Sequence, residues 1–300
     1  MTAFVEIAPE SYDSAAFDEF TSGASNFEIG NARALMWMSQ LAYETHTRNT
    51  IEIVSPKWGF SSITSFTRSF ETCGVIGERP DAVVLAFAGT DPGIWQNLVT
   101  DGVFRIDPAT DTHVGFQEAA LSAKDDIAKA VQRCRDTQKP LFVAGHSLGA
   151  ALAALAAKAT TEAGIKPQAV YIYGMPRAGG AKFKAAYDSI LGDRTFRLVH
   201  GIDLVARVPM SAFGYRHVGR VLMCTAGAKF DPAQPFSTVA SDEPQFSDEL
   251  SNILRRTIGD LLMGQLLSKP GSGMLGRFFR FLRPEIRDHL PDSYWTALTP

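Results

Sequence analysis

Residues 140–157 read PLFVAGHSLGAALAALAA and decide the fold. The apolar run at 141–145 is followed by a glycine-rich turn and then by an alanine- and leucine-rich stretch that is typical of a helix. This order predicts a buried strand that turns sharply into a buried helix. The stretch carries no charged residue, but Pro140 and the glycines of the turn argue against a membrane span.

Similar strand and helix patterns surround this stretch. Short apolar runs at 82–88, 169–174 and 195–200 predict strands, and helical periodicity lies between them at about 116–135 and 181–191. Strands that alternate with helices predict right-handed βαβ units. We therefore expect an α/β fold with a mostly parallel central sheet and helices on both faces.

The first third of the chain predicts further elements of the same domain. Residues 31–44 have helical apolar spacing, with Asn31 as the expected N-cap. Three β-rich stretches at 51–54, 58–66 and 71–76 are separated by proline and glycine and predict additional strands of the sheet.

The composition is that of a globular protein. Of the 300 residues, 45% are hydrophobic and 20% are charged, which excludes disordered and low-complexity chains. The net charge of −3 argues against a nucleic-acid partner. The composition changes after Cys224, and we expect residues 1–300 to form a single domain with an insertion at about 225–285 and a C-terminal arm.

The cysteine count and the first residues bear on the location. Three cysteines leave at least one thiol outside any disulfide, and residues 1–20 show neither the basic region nor the apolar core of a signal peptide. We therefore expect a cytoplasmic protein without a transmembrane helix. The alternative is secretion by a route that needs no N-terminal signal.

The pattern G-x-S-x-G at residues 145–149 predicts a nucleophile. A sharp strand-to-helix turn lifts the hydroxyl of Ser147 clear of the sheet, and the two glycines allow the strand and helix backbones to approach. The N–H groups at the start of the helix face a developing oxyanion. We expect the N–H of Leu148 to be one oxyanion donor and Thr90, just after the strand at 82–88, to supply the second.

A nucleophilic serine needs a base and an acid that orients the base. In folds of this class the chain order is serine, acid, histidine. Asp203 directly follows the predicted strand at 195–200 and is the candidate acid. Of the six histidines, only His217 and His289 come after it. Spacing favours His289, because His217 follows too soon for a loop and a return over the sheet, but spacing alone does not decide.

Two apolar segments are candidates for contact with substrate. Ile94, Trp95 and Leu98 predict a short helix beside Thr90, which is either a lid with an apolar face toward lipid or a fixed helix that buries its tryptophan. Residues 275–283 are basic, aromatic and amphipathic, and either lie in a lipid–water interface or form a helix docked on the domain.

Five motifs, in order, resemble those of the lipase class 3 family, the fungal-type triacylglycerol lipases and their relatives among the α/β-hydrolases. They are LAFAGTDPGIWQNLVTD (85–101), HVGFQEA (113–119), VAGHSLGAALAALAA (143–157), YIYGMPRAGGAKF (171–183) and FRLVHGIDLVARVP (196–209). Five ordered motifs are far more specific than one G-x-S-x-G. The resemblance implies an α/β-hydrolase-type fold.

The resemblance also implies the roles of the site residues. It makes Ser147 the nucleophile, Asp203 the acid and Thr90 an oxyanion residue. The stretch DHLPDSYW at 288–295 resembles the family's terminal catalytic histidine motif, whereas GYRHVGRV at 214–221 resembles a non-catalytic stretch. This favours His289 as the base, with the aromatic residues that follow it as anchors. Residues 225–285 are longer than the family usually has.

The chemistry implied is two-step acyl transfer, for which no metal or cofactor is expected. We expect a serine carboxylester hydrolase that acts on lipid esters, a triacylglycerol lipase. The alternatives are an esterase for soluble short-chain or aryl (feruloyl-type) esters, a phospholipase and, last, a non-catalytic binding member of the fold. The expected partners are the ester substrate and, transiently, a lipid–water interface. The sequence does not indicate an oligomeric state.

Overall fold

The computed structural model describes residues 6–45, 48–89, 105–237 and 284–300. Within these ranges a seven-stranded sheet forms the centre, and its strands lie side by side in chain order. The first two pairings are antiparallel and the remaining four are parallel. The strands are β1 (Ser62–Arg68), β2 (Thr72–Glu78), β3 (Val83–Phe87), β4 (Leu141–His146), β5 (Ala169–Tyr173), β6 (Thr195–His200) and β7 (Arg220–Cys224).

The central parallel strands are buried on both faces. Every residue of β3, β4, β5 and β6 is buried, which is why their sequences are continuous apolar runs rather than alternating ones. The register aligns Phe87 with Gly145 and Gly145 with Ile172. The carboxyl ends of these strands therefore meet at one edge of the sheet, where α/β folds place their sites.

Four helices that connect successive strands pack on one face of the sheet. Consecutive right-handed crossovers between neighbouring strands put their helices on the same side. The core on this side contains Val83, Val143 and Val170 from the strands, with alanines and leucines from the helices. These helices are α3 (Val114–Ser122), α4 (Lys124–Thr137), α5 (Leu148–Glu162) and α6 (Ala181–Leu191).

The opposite face is covered by the N-terminal and C-terminal parts of the chain. Helices α1 (Ile29–Leu41) and α8 (Pro291–Leu298) pack against each other and against the strands. The indole rings of Trp37 and Trp295 stack with their centroids 4.6 Å apart. The predicted fold class, with helices on both faces, is confirmed. The C-terminal segment thus returns across the sheet and brings residues 284–290, which include helix α7 (Pro284–Arg287), to its edge.

Two predicted elements differ in the structure. Residues 51–54 end a helix, α2 (Arg48–Val54), instead of forming a strand; a β-rich run of four residues does not distinguish the two by composition. The predicted helix at 116–135 is two helices, α3 and α4, which are separated at Ala123.

The start of α1 also differs from the prediction. Its N-cap is Glu28, and Asn31 lies buried inside the helix. The side chain of Asn31 instead binds the backbone of Thr21, accepting from its N–H at 2.7 Å and donating to its carbonyl at 3.0 Å. An asparagine near a helix start therefore fixes a long-range contact here and not the local cap.

The expected insertion is described only in part. Phe230 is buried and its N–H donates to the carbonyl of Ala297 at 3.0 Å, whereas Ser237 pairs with Val221 of β7. Residues 238–283 lie outside the described ranges. None of the helices that the structure describes is both long and apolar enough to cross a membrane.

Candidate active site

Ser147 lies in the turn between β4 and α5 with a backbone conformation that few residues other than glycine adopt. Its φ is 59° and its ψ is −130°, and such strain persists only where the surroundings enforce it. The N–H of Ser147 donates to the carbonyl of Tyr173 on β5 at 2.9 Å. The turn is thus built into the parallel sheet, as the sequence predicts for a nucleophile.

The two glycines of this turn are required by close backbone approaches. A Cβ on Gly145 would lie 2.1 Å from the carbonyl oxygen of Gly149, and a Cβ on Gly149 would lie 2.3 Å from that of Ala88. Gly89 faces the serine so closely that a Cβ there would lie 2.6 Å from the Cβ of Ser147. The end of β3 therefore lies beside Ser147.

His289 connects the serine to a carboxylate. Its Nε2 is 2.8 Å from the Oγ of Ser147, and its Nδ1 is 2.9 Å from the Oδ2 of Asp203. A carboxylate only accepts hydrogen bonds, so Nδ1 carries the proton and Nε2 accepts from the serine hydroxyl. The structure thus brings together the three predicted side chains in the order that general-base activation of a serine requires.

Asp203 is fully buried and fully hydrogen-bonded. Its Oδ1 accepts from the N–H groups of Val205 at 2.8 Å and Ala206 at 3.3 Å, and its Oδ2 accepts from the hydroxyl of Tyr294 at 2.6 Å. Burial by itself raises the pKa of Asp203, but the charge of His289 and the hydrogen bonds from His289 and Tyr294 more than offset this and lower it below its ordinary value. Asp203 is therefore an anion that fixes the tautomer of His289.

Gly174, which the sequence analysis did not single out, makes room for this contact. Its φ is 58°, and a Cβ there would lie 2.6 Å from the Oδ2 of Asp203 and 2.9 Å from the Nδ1 of His289. The available signal was a glycine directly after a buried strand, inside the motif at 171–183. Such a glycine marks a close approach.

The loop that carries His289 is fastened by its neighbours in sequence. The Oδ2 of Asp288 accepts from the N–H of Ile202 at 3.0 Å, and its Oδ1 is 3.6 Å from the Nδ1 of His200. Tyr294 accepts from the N–H of His200 at 3.2 Å while it donates to the carboxylate of the site. The sequence analysis expected an aromatic anchor at Tyr294 but missed Asp288.

The alternative histidine lies elsewhere. His217 is buried, and its Nε2 is 2.8 Å from the carbonyl oxygen of Ala206. Burial, with the nearby charges of Arg197 and Arg177, lowers the pKa of His217. The N–H of Ala206 binds Asp203, so His217 supports the turn that carries the acid and does not face the serine.

Leu148 is the first residue of α5, and the N–H groups of a first helical turn have no acceptor within the helix. Its position fits the predicted oxyanion donor. Thr90 lies outside the described residues, and so do the predicted lid residues Ile94, Trp95 and Leu98 and the amphipathic segment at 275–283.

The chain matches proteins of one family. Residues 84–213 match the family model for lipase (class 3), so the resemblance of the motifs is confirmed. The chain is 31% identical over 196 residues to a secreted mono- and diacylglycerol lipase of Malassezia globosa, covering 61% of this chain and 63% of that protein. It is 35% identical over 157 residues to secreted mono- and diacylglycerol lipase A of Penicillium camembertii, covering 49% and 50%. The chain spans less than two thirds of either relative.

Solved lipase structures share the fold. A lipase from Rhizopus microsporus var. chinensis superposes with a TM-score of 0.54 at 26% identity, over 66% of this chain and 76% of that one. Lipase II from Rhizopus niveus superposes with a TM-score of 0.59 at 22% identity, over 76% and 92%. The fold is of the α/β-hydrolase type, as predicted.

The expected cytoplasmic location is wrong. The relatives are named as secreted lipases, which points to secretion. The expectation rested on residues 1–20, which lack the pattern of a signal peptide, and on the odd number of cysteines, taken as a sign of a reducing compartment. Cys73 and Cys134 are buried, Cys224 is half-buried, and none of the three forms a disulfide. Such thiols stabilise the core by packing, so they do not report the compartment.

Proposed function

Because residues 84–213 match the family model for lipase (class 3), we propose that this protein is a serine carboxylester hydrolase that acts on lipid esters. The observation that carries the proposal is the continuous hydrogen-bonded series from Asp203 through His289 to Ser147, at 2.9 Å and 2.8 Å. The series ends on a serine held in a strained strand-to-helix turn. This arrangement fits acyl transfer better than ligand binding, because binding alone does not require an aligned base.

In the proposed mechanism each side chain has one task. The Oγ of Ser147 attacks the ester carbonyl carbon while the Nε2 of His289 takes its proton. His289 then gives this proton to the leaving alcohol, and a water molecule cleaves the acyl-enzyme by the same path. Asp203 stays ionised and stabilises the imidazolium that forms in each step.

The charge that develops on the carbonyl oxygen needs two donors. We assign one to the N–H of Leu148 at the start of α5, where the helix dipole also favours negative charge. We assign the second to Thr90, the residue after Gly89, because Gly89 lies against Ser147. We also propose that Ile94, Trp95 and Leu98, which follow Thr90 in sequence, contact the acyl chain.

The proposed substrates are acylglycerols. The relatives at 31% and 35% identity are named for mono- and diacylglycerols, and the exposed Ile202 directly precedes the acid of the site. The domain organisation proposed from the sequence fits this activity: one domain with an insertion at about 225–285 and an arm, residues 284–300, that supplies the base.

The test is hydrolysis of emulsified mono-, di- and triacylglycerols and of a soluble p-nitrophenyl ester by the full chain. We expect hydrolysis of acylglycerols, covalent labelling of Ser147 by a fluorophosphonate, and loss of both in Ser147→Ala. Ser189→Ala, an exposed serine on α6, is the matched control and keeps both. Labelling at another serine, or hydrolysis by a folded Ser147→Ala protein, contradicts the proposal; activity on the soluble ester alone favours the esterase alternative.

A further inference from the structure

His146, the residue between the glycine and the serine of the turn, contacts the base directly. Its side chain is buried, and its Nε2 is 2.8 Å from the backbone carbonyl oxygen of His289. The two imidazole rings lie face to face, with centroids 4.9 Å apart and planes inclined by 29°. The nucleophile turn therefore touches His289 by two routes, through the hydroxyl of Ser147 and through the ring of His146.

The hydrogen bonds of His146 fix its tautomer. A carbonyl oxygen only accepts, so Nε2 carries the proton, and Nδ1 of a neutral ring accepts from the hydroxyl of Tyr43 at 2.8 Å. The hydroxyl of Tyr43 also lies against Gly89, where an added Cβ would be 2.5 Å from it. Burial, followed by the nearby charge of His289, lowers the pKa of His146 to about 3. His146 is thus a neutral donor at neutral pH.

We propose that His146 is a positioning residue, which holds the backbone of His289 by donating from Nε2 and is itself oriented by Tyr43. The inference rests on the proposed function, since it concerns the base of that reaction. Its physical basis is that a base must lie within hydrogen-bond reach of the serine. The loop of His289 comes from the far end of the chain, and this contact ties it to the nucleophile turn itself.

The same contacts link the base to the strand that precedes the oxyanion residue. Gly89 lies against the hydroxyl of Tyr43, Tyr43 binds His146, and His146 binds His289. Among the described residues, the titratable groups that touch the ring of His289 are Asp203 and His146. A shift of the ring in a variant therefore weakens its contact with the carboxylate that orients it.

The experiment separates donation from packing with two substitutions. His146→Gln retains an N–H donor at about the position of Nε2, whereas His146→Phe retains the ring and loses both hydrogen bonds. On a soluble ester we expect His146→Phe to lower kcat by about tenfold or more with KM unchanged, because a small misplacement of a reacting group is costly. We expect His146→Gln to recover part of kcat.

Tyr43→Phe keeps the ring of His146 but removes the group that orients it, so we expect a smaller fall in kcat with KM unchanged. Tyr187→Phe removes a buried hydroxyl that binds Thr195 at 2.9 Å on the opposite face of the sheet, and serves as the control with unchanged kcat. Equal rates for wild type and His146→Phe overturn the proposal, and so does a faster His146→Phe than His146→Gln. If neither His146 variant folds, an unchanged kcat in Tyr43→Phe overturns it.

A readout without substrate separates this inference from the proposed function. We expect the Nδ1 proton of His289, held by Asp203, to be visible by NMR in the wild-type protein and in His146→Gln and to be lost by exchange in His146→Phe. If the wild-type protein hydrolyses no ester but this pattern holds, the proposed function is wrong and the positioning role stands. If the proton is equally protected in all three proteins, the positioning role is wrong whatever the activity.

Discussion

The segments that carry Ser147 and His289 meet at one site but are held there in different ways. The serine turn is fixed by backbone geometry within a single β4–α5 unit, where Gly145 and Gly149 allow the approach. The histidine loop is held by side chains that bind residues far away in sequence. Asp288, for example, accepts a hydrogen bond from the N–H of Ile202. The first arrangement is local and rigid, and the second depends on the fold being complete.

The largest expected effect tests whether the two segments act as one unit. Ser147→Ala and His289→Ala should each lower kcat by about 10⁴-fold or more, and the double variant should be no slower, because both groups serve one proton transfer. The measurement is kcat on a soluble ester with circular dichroism as the folding check. His217→Ala is the matched control, with reduced stability and most of its kcat. If the losses of kcat in the two single variants multiply in the double variant, the two segments do not act as one unit.

The second prediction concerns the rigidity of the serine turn. Gly149→Ala should lower the free energy of unfolding by about 3 kcal/mol or more, because the added Cβ meets the backbone of β3 and neither partner can yield. Gly23→Ala, at a position with nothing within 4 Å of the added Cβ, should be neutral. Denaturant unfolding measures both. A stable Gly149→Ala protein shows that the strand and helix separate more easily than the structure indicates.

The same contrast explains what the sequence could predict. The turn around Ser147 was predictable because a continuous apolar run, two glycines and an alanine-rich helix are adjacent in sequence. Asp203 was predictable because it directly follows a strand whose bounds, Thr195–His200, agree with the structure. Both signals are local, and local periodicity and turn residues are what a sequence displays.

The remainder depends on contacts between distant residues. The spacing of His289 did not separate it from His217, because its position is set by Asp288, Tyr294 and the stacking of α8 on α1. For the same reason the second face of the sheet, formed by the two ends of the chain, was not predicted in its details. The helix α2 was taken for a strand because its last four residues are β-rich and its packing outweighs that preference.

The third prediction loosens the histidine loop alone. Asp288→Ala removes the acceptor for the N–H of Ile202 and should raise amide hydrogen exchange across residues 284–298 while leaving residues 141–150 protected. We expect kcat to fall by about tenfold, since the base loses its alignment. Asp231→Ala, an exposed aspartate that binds the N–H of Ala233, is the control. Faster exchange in both segments would show that the turn is not independent of the loop.

The smallest expected effect lies in the pH dependence of stability and comes from Tyr294. Its hydroxyl donates to Asp203 at 2.6 Å and lowers the pKa of that carboxyl, together with the larger effect of His289. Because the folded-state pKa is depressed, the stabilising contribution is complete above the unfolded pKa of about 3.9 and is lost as the pH falls through the folded value. Tyr294→Phe removes one of the lowering interactions, so the folded pKa of Asp203 rises and the loss occurs at a higher pH.

At neutral pH we expect Tyr294→Phe to lower the free energy of unfolding by about 1.5 kcal/mol, the value of a hydrogen bond to a charged group, and kcat by less than the Asp288→Ala change does. Urea unfolding as a function of pH measures both the loss of unfolding free energy at neutral pH and the pH of the acid transition. Tyr187→Phe, which also loses a buried hydroxyl but touches no carboxylate of the site, should lower stability at every pH without moving the acid transition. If the two tyrosine variants have parallel pH profiles, Tyr294 anchors the loop by packing alone. The histidine segment would then resemble the serine turn in depending on shape rather than on charge.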